Sequence, residues 1–218
     1  MATRSYGQYC AVAYALDALG DRWALLVIRE LLGGPRRYTD LRDGLPGIST
    51  DLLAARLRDL EAAELVRRRA LPPPAASTVY ELTEDGAAIE PLVIELARWG
   101  VRRLPTEPEG EFRCHWIGVW LRSEFVAAAA EEVNLMVDFV VDEDRFRACI
   151  DHGTLTFDEH PAGQADIVLT GDAGAITRLG SPDLETRAAV LKRGQVTVDG
   201  EPRAIAALAR ALGLMPAH

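Results

Sequence analysis

The chain has 218 residues, a formal net charge of −9, 49% hydrophobic residues and 26% charged residues, the make-up of a folded globular protein and not of a disordered one. No run of about 18 apolar residues is present to span a membrane, and the N-terminal "MATRSYGQYC" lacks the apolar core of a secretory signal. Three cysteines at wide spacing, Cys10, Cys114 and Cys149, make neither a disulfide framework nor a zinc site. These features predict a cytoplasmic protein of about two domains, without metal or cofactor. Arginine outnumbers lysine 23 to 1, so its distribution informs more than its abundance. Up to Pro105, 14 arginines balance 14 acidic residues; beyond it 10 basic residues face 19 acidic ones. This asymmetry predicts two domains with different tasks, residues 1–105 and 106–218.

In chain order, "YCAVAYALDALGD" has apolar residues at helical spacing and stops at Gly20. Asp21 is placed to cap "RWALLVIRELL", with Trp23, Leu26, Val27, Glu30 and Leu31 on one stripe. "RRYTDLRDGL" predicts a short third helix, and Ser49 or Thr50 caps "DLLAARLRDLEAAE". In that fourth helix Leu53, Leu57 and Leu60 form the buried stripe, with Asp51, Ala54, Ala55 and Arg58 opposite. "LVRRRAL" and "TVYELT" read as strands joined by the turn "PPPAAS". A last helix runs to Pro105, with Pro91 near its start or at a kink.

A helix-turn-helix followed by a β-hairpin is a winged helix. Such a motif places its second helix, here residues 49–63, in the major groove of DNA. The small Ala54 and Ala55 let the backbone approach bases, and Ser49, Thr50 and Arg58 supply hydrogen-bonding groups. Arg36, Arg37 and Tyr38, which open the preceding helix, Arg56 in the second helix, and Arg67, Arg68 and Arg69 leading into the wing are placed for phosphates. The competing interpretation is a solvated arginine rim on an α-helical interaction module.

The motifs G-D-R-W, G-x-x-R-Y, G-I-S, L-x-x-R-L-x-x-L-E and Y-x-L-T-x-x-G occur in this order over residues 7–104. In this the chain resembles the HxlR-type branch of the MarR-like winged-helix transcriptional regulators. The resemblance implies a homodimer on a palindromic operator of double-stranded DNA, usually a repressor, with the helices near residues 9–19 and 86–104 building the dimer interface. Glu64 stands where the family commonly has glycine. Cys10 matches a cysteine that some relatives use as a redox or electrophile sensor; a small buried hydrophobe at the interface is the preferred reading.

Residues 104–111, "LPTEPEGE", read as a linker. Beyond it, a helix through "WLRSEFVAAAAEE" precedes strands at "VNLMVDFVV", "RFRACID", "GTLTFDE" and "ADIVLTGD", two short helices, a fifth strand "QVTVDGEP" and the helix "RAIAALARAL". This pattern predicts an α+β layer, an antiparallel sheet covered by helices. D-x-x-L-x-G-D and K-x-G-x-V-x-V-x-G, each followed by a helix, resemble the sterol-carrier-protein-2 (SCP-2) fold over about residues 120–213. That resemblance implies an apolar tunnel that takes a hydrophobic small-molecule effector, with Trp116, Trp120, Phe125, Met136, Phe139, Phe146, Ile167 and Leu169 as candidate lining and ordinary core as the competing role of each. His115, His152 and His160 join no catalytic constellation. The combined expectation is a non-enzymatic, DNA-binding regulator that does not touch membranes. The alternatives are a carrier of hydrophobic molecules whose winged helix binds proteins, or an enzyme acting in the tunnel.

Overall fold

The computed structural model describes residues 5–72, 77–105, 110–181 and 183–214. The predicted turn at residues 73–76 and residues 106–109 of the predicted linker lie outside the described residues. The chain divides into two compact units, Met1–Val93 and Ile94–His218.

The first unit contains α1 (Ala11–Leu19), α2 (Ala24–Leu32), β1 (Arg36–Arg37), α3 (Tyr38–Asp43), α4 (Thr50–Ala62), β2 (Val66–Ala70), β3 (Thr78–Leu82) and α5 (Glu84–Ala87), and it ends within α6 (Glu90–Gly100). Its core joins Val27, Ile28 and Leu31 of α2 to Leu41, Leu45, Leu53, Leu57, Leu60, Leu65 and Val79, all buried. Burying one leucine is worth about 2 kcal/mol. The α4 stripe alone therefore contributes on the order of 6 kcal/mol at most, comparable with the net stability of a whole domain.

Four local expectations need correction. Asp21 does not cap α2: the N-cap is Trp23, in the left-handed region at φ 82°. The buried stripe of α2 includes Ile28 and leaves Leu26 39% exposed. Arg36 and Arg37 do not open a helix. They form a two-residue strand paired with Tyr80 and Val79, which makes the wing a three-stranded sheet of order β1-β3-β2. The last predicted helix is broken into α5 and α6, with Pro91 in the first turn of α6, where its missing N–H costs nothing.

The second unit holds α7 (Ile117–Glu124), β4 (Asn134–Val141), β5 (Asp144–Asp151), β6 (Thr154–Asp158), β7 (Ile167–Gly171), α8 (Ala173–Leu179), α9 (Leu184–Lys192), β8 (Val196–Gly200) and α10 (Pro202–Ala211). All five predicted strands are present, in the order β6-β5-β4-β7-β8. The helix predicted from Trp120 to Glu132 begins earlier, at Ile117, and ends at Glu124, and a 3-10 turn, Ala127–Ala130, takes the place of its second half. The sheet is mixed, not antiparallel, because β4 and β7 run parallel. The segment between β6 and β7 must therefore return along the sheet. Two arginines of β5 hold it there: Arg147 donates to the carbonyls of Ala162 (2.8 Å) and Gly163 (3.2 Å), and Arg145 to that of Gly163 (3.2 Å). Both arginines also donate to Asp138, which with Arg147 is sealed from solvent. The other sheet face carries the apolar core: Val137, Phe139, Val141, Phe146, Ala148, Ile150, Ile167 and Leu169. His152 (φ 45°) and Gly153 (φ 81°) make the two-residue hairpin between β5 and β6, the left-handed pair that matches strand twist.

The carboxy end of α4 explains the family departure at Glu64. The Leu65 N–H bonds to the Leu60 carbonyl and the Glu64 N–H to the Glu61 carbonyl, both at 3.0 Å, which is a Schellman cap. Such a cap needs a left-handed residue, and Glu64 takes φ 58°. Its carbonyl accepts the Thr83 hydroxyl at 2.6 Å, and a Cβ at the nearby Gly86 would strike the Leu65 carbonyl oxygen, so the Gly of Y-x-L-T-x-x-G serves close packing. A side chain at positive φ costs about 1 kcal/mol relative to glycine. Glu64→Gly should raise the unfolding free energy by about 0.5–1 kcal/mol in urea titration; a loss of stability would contradict this account of the cap.

Candidate nucleic-acid interface

Ser49 builds the start of α4: its hydroxyl accepts the Leu52 N–H at 3.3 Å, satisfying one of the orphan donors of the first turn. Tyr38, at the start of α3, donates its hydroxyl to the Thr50 carbonyl at 2.7 Å and so ties the two helices of the motif at their N-termini. With Leu53, Leu57 and Leu60 inward, α4 leaves Thr50, Asp51 and Arg58 exposed and Ala54 and Ala55 half-buried. Arg58 has no hydrogen-bond or ion-pair partner among the described residues.

The other arginines differ in how far they are committed. Arg36 donates to the Glu30 carbonyl at 3.1 Å and lies half-buried. Arg37 is exposed, and its N–H is accepted by Asp40 at 3.0 Å. Arg56 pairs with Asp21 and, at 2.9 Å, with Asp59, and its side chain is 14% exposed. On the wing, Arg67 and Arg69 share Glu81 at 2.8 and 2.7 Å. Arg68 points to the other face, pairing with Glu61 at 2.8 Å with its guanidinium 5.3 Å from the centre of the Tyr80 ring. The hydrogen bonds from Arg69, and then Arg67, hold the Glu81 carboxyl below the usual carboxylate range. A depressed carboxylate contributes stability above its unfolded pKa and loses it as pH falls through the folded value, so these pairs persist throughout the neutral range. Sequence reasoning could not foresee this pairing, because cross-strand register with Glu81 is a tertiary fact.

Cys10 is exposed in the single chain, at the N-cap of α1. The backbone amides of Ala13 and Val12 pull its thiol below the ordinary value, as first-turn N–H groups favour a thiolate. Burial, with Asp144 nearby, pushes the Cys114 thiol up to about 12; burial also raises that of Cys149.

The candidate ligand residues are placed differently from the expectation. Phe139, Phe146, Ile167 and Leu169 are sealed in the core, Trp120 and Phe125 pack against it, and Trp116 sits edge-on to Phe112. Trp120 meets Phe139 edge-on at 6.2 Å, and Phe146 stacks on Phe157 at 5.2 Å. Met136 lies on the opposite sheet face from Phe139, 39% exposed, so the two cannot line one cavity. A cleft of about 610 Å³ lies elsewhere in this unit, between the start of β4 and α10, with Glu131, Glu132, Glu201, Arg203 and Arg210 around Val133 and Leu135.

The first unit is thus a winged helix-turn-helix, a fold whose capped, small-faced second helix is shaped for a DNA groove. The HxlR-like helix-turn-helix family profile matches residues 18–108. The HTH-type transcriptional regulator YodB of Bacillus subtilis is 39% identical over 85 residues, which cover 39% of this chain and 76% of that protein. An uncharacterised HTH-type transcriptional regulator of Synechocystis is 38% identical over 94 residues, 43% of this chain and 70% of that protein. Among solved structures, the reduced form of YodB shares 33% identity over 46% of this chain and all of its own, with a TM-score of 0.40. The chain belongs to the HxlR-like helix-turn-helix family; residues beyond 108 lie outside that match. No helix among the described residues is long and apolar enough to cross a membrane.

The thiol ordering is directly measurable. At pH 7 iodoacetamide should alkylate Cys10 first and Cys114 last in the folded chain, read by mass spectrometry, because only the thiolate reacts. Cys114 keeping pace with Cys10 would contradict it.

Proposed function

We propose that this protein is a sequence-specific DNA-binding transcriptional regulator that acts as a homodimer on a palindromic operator and represses. The observation that carries the DNA-reading part is α4: capped by Ser49, buried on its leucine stripe, and open on the face of Thr50, Ala54, Ala55 and Arg58, which has no partner among the described residues. That face enters the major groove, about 12 Å wide, with Thr50, Ala54 and Arg58 at base edges. Arg37, Arg67 and Arg69 line the phosphates, with Arg36, Tyr38 and Arg68 holding the surfaces behind them. Two-fold symmetry sets the half-sites one or more helical turns apart, about 34 Å per turn.

Exposed apolar side chains support a dimer. Tyr9, next to α1, and Val12, Tyr14 and Leu16 on it are exposed, as are Leu92, Leu96 and Trp99 of α6; a stable lone chain rarely leaves so many in water. A second reading adds regulation through Cys10, supported by its exposure and its lowered pKa. The C-terminal unit carries the strands and helices that the SCP-2 resemblance implies, which supports an effector domain; an apolar effector there has to part the packing around Trp120 and Phe139.

The test is a mobility shift on the intergenic DNA upstream of the protein's own gene, with competitor, at two salt concentrations. A saturable complex that survives competitor and weakens with salt is expected. A folded dimer that gives no complex yet exchanges fluorescent fatty acids would favour the carrier. Arg58→Ala should cost about 1–3 kcal/mol on the operator and relax its sequence preference, whereas Arg67→Ala should weaken all sequences alike and lower the salt slope by about one. Equal effects of the two would contradict the division of roles. Diamide treatment should lower operator affinity in the wild type and not in Cys10→Ser; an equal response in both would remove Cys10 from the account.

A further inference from the structure

The corner between α1 and α2 reaches the recognition helix through Asp21 and approaches the turn before it through Trp23. Trp23 holds φ 82° at the N-cap of α2, a conformation that a bulky L-residue keeps only when its surroundings over-determine it. Its ring is the nearest neighbour of Gly47 in the turn that precedes α4: a Cβ built there would be 4.0 Å from Trp23 Cη2. Two residues earlier, Asp21 reaches Arg56 in the second turn of α4. Arg56 is bracketed by a second carboxylate, Asp59, at 2.9 Å, and is 14% exposed. With two acidic partners its charge is over-neutralised, so it has little to offer a phosphate.

We propose that Arg56 is a positioning residue. Asp21 and Arg56, with Trp23 against Gly47, fix the angle and depth of α4 relative to α1, and thereby the geometry with which the second helix meets a half-site. The inference rests on the DNA-reading role of α4. It makes the Gly20–Trp23 corner the link by which a displacement of α1, the helix that begins at Cys10, reaches the groove.

The sign of one substitution separates this from a phosphate contact. Asp21→Asn removes a negative charge, which on electrostatic grounds alone strengthens binding to any DNA. A positioning role requires the opposite on the specific site: about tenfold weaker binding to the upstream duplex, with binding to scrambled duplex unchanged or tighter. Arg56→Lys keeps the charge for a phosphate but cannot bridge Asp21 and Asp59 with a planar fork, so it should lose specific affinity by a similar factor without changing the salt slope. Both are measured by fluorescence anisotropy on full-length protein, and the double variant should be no weaker than either single one. Thermal melting and dimer mass are recorded alongside; if one variant is unfolded, the other decides. Specific affinity that survives in the folded variants, or a slope that falls by about one in Arg56→Gln, overturns the proposal. Absence of a wild-type complex overturns instead the DNA-reading role on which it rests.

Discussion

The burial of three leucines organises the first unit. Leu53, Leu57 and Leu60 are at most 1% exposed, and a helix has only one opposite face to leave in water. Once that stripe is seated against α2 and the wing, Thr50, Ala54 and Arg58 are presented outward whatever else the chain does. The surrounding devices then fix where α4 sits: the Ser49 cap at its start, the Schellman cap with Glu64 at its end, and the Tyr38 hydroxyl bridging to its first turn. The two caps satisfy backbone groups that would otherwise be orphaned at the helix termini, and the Tyr38 bond ties α3 to the start of α4, so a single set of hydrogen bonds both stabilises the motif and aims it.

The arginines show how charge is rationed in a chain with a net charge of −9. Glu81 holds Arg67 and Arg69, Glu61 holds Arg68, and Asp21 with Asp59 holds Arg56. Exposed pairs of this kind are worth little stability. Their effect is to hold the long side chains of Arg67, Arg68 and Arg69 in a defined direction. Arg56 is the exception, because it is largely covered and faces two carboxylates. Its sequence position in L-x-x-R-L suggested a DNA contact; only the fold shows Asp21 beside it.

Much of the fold was legible because it is local. The period of α4, the two wing strands and the five strands of the second unit follow from alternation and turn residues. The parity of β4 also told that Met136 and Phe139 face opposite ways, a point lost when both were grouped as apolar lining. What was not legible depends on distant partners. Arg36 and Arg37 become a strand only because β3 lies alongside. Asp138 occupies an outward-facing position in its strand and is buried only because the segment before β7 returns over it. The parallel pairing of β4 with β7 is a matter of topology that no local pattern carries. Glu64 was recognised as a departure from the family, and its left-handed φ of 58° gives that departure its physical meaning.

The central claim is that α4 lies in the major groove of two symmetric half-sites. Guanine N7 faces that groove, so dimethyl sulfate protection on the bound duplex reads it directly. The account predicts two short protected patches related by two-fold symmetry and separated by about ten base pairs or a multiple of it. A complex that leaves every guanine N7 reactive, or that protects one asymmetric patch, would contradict it.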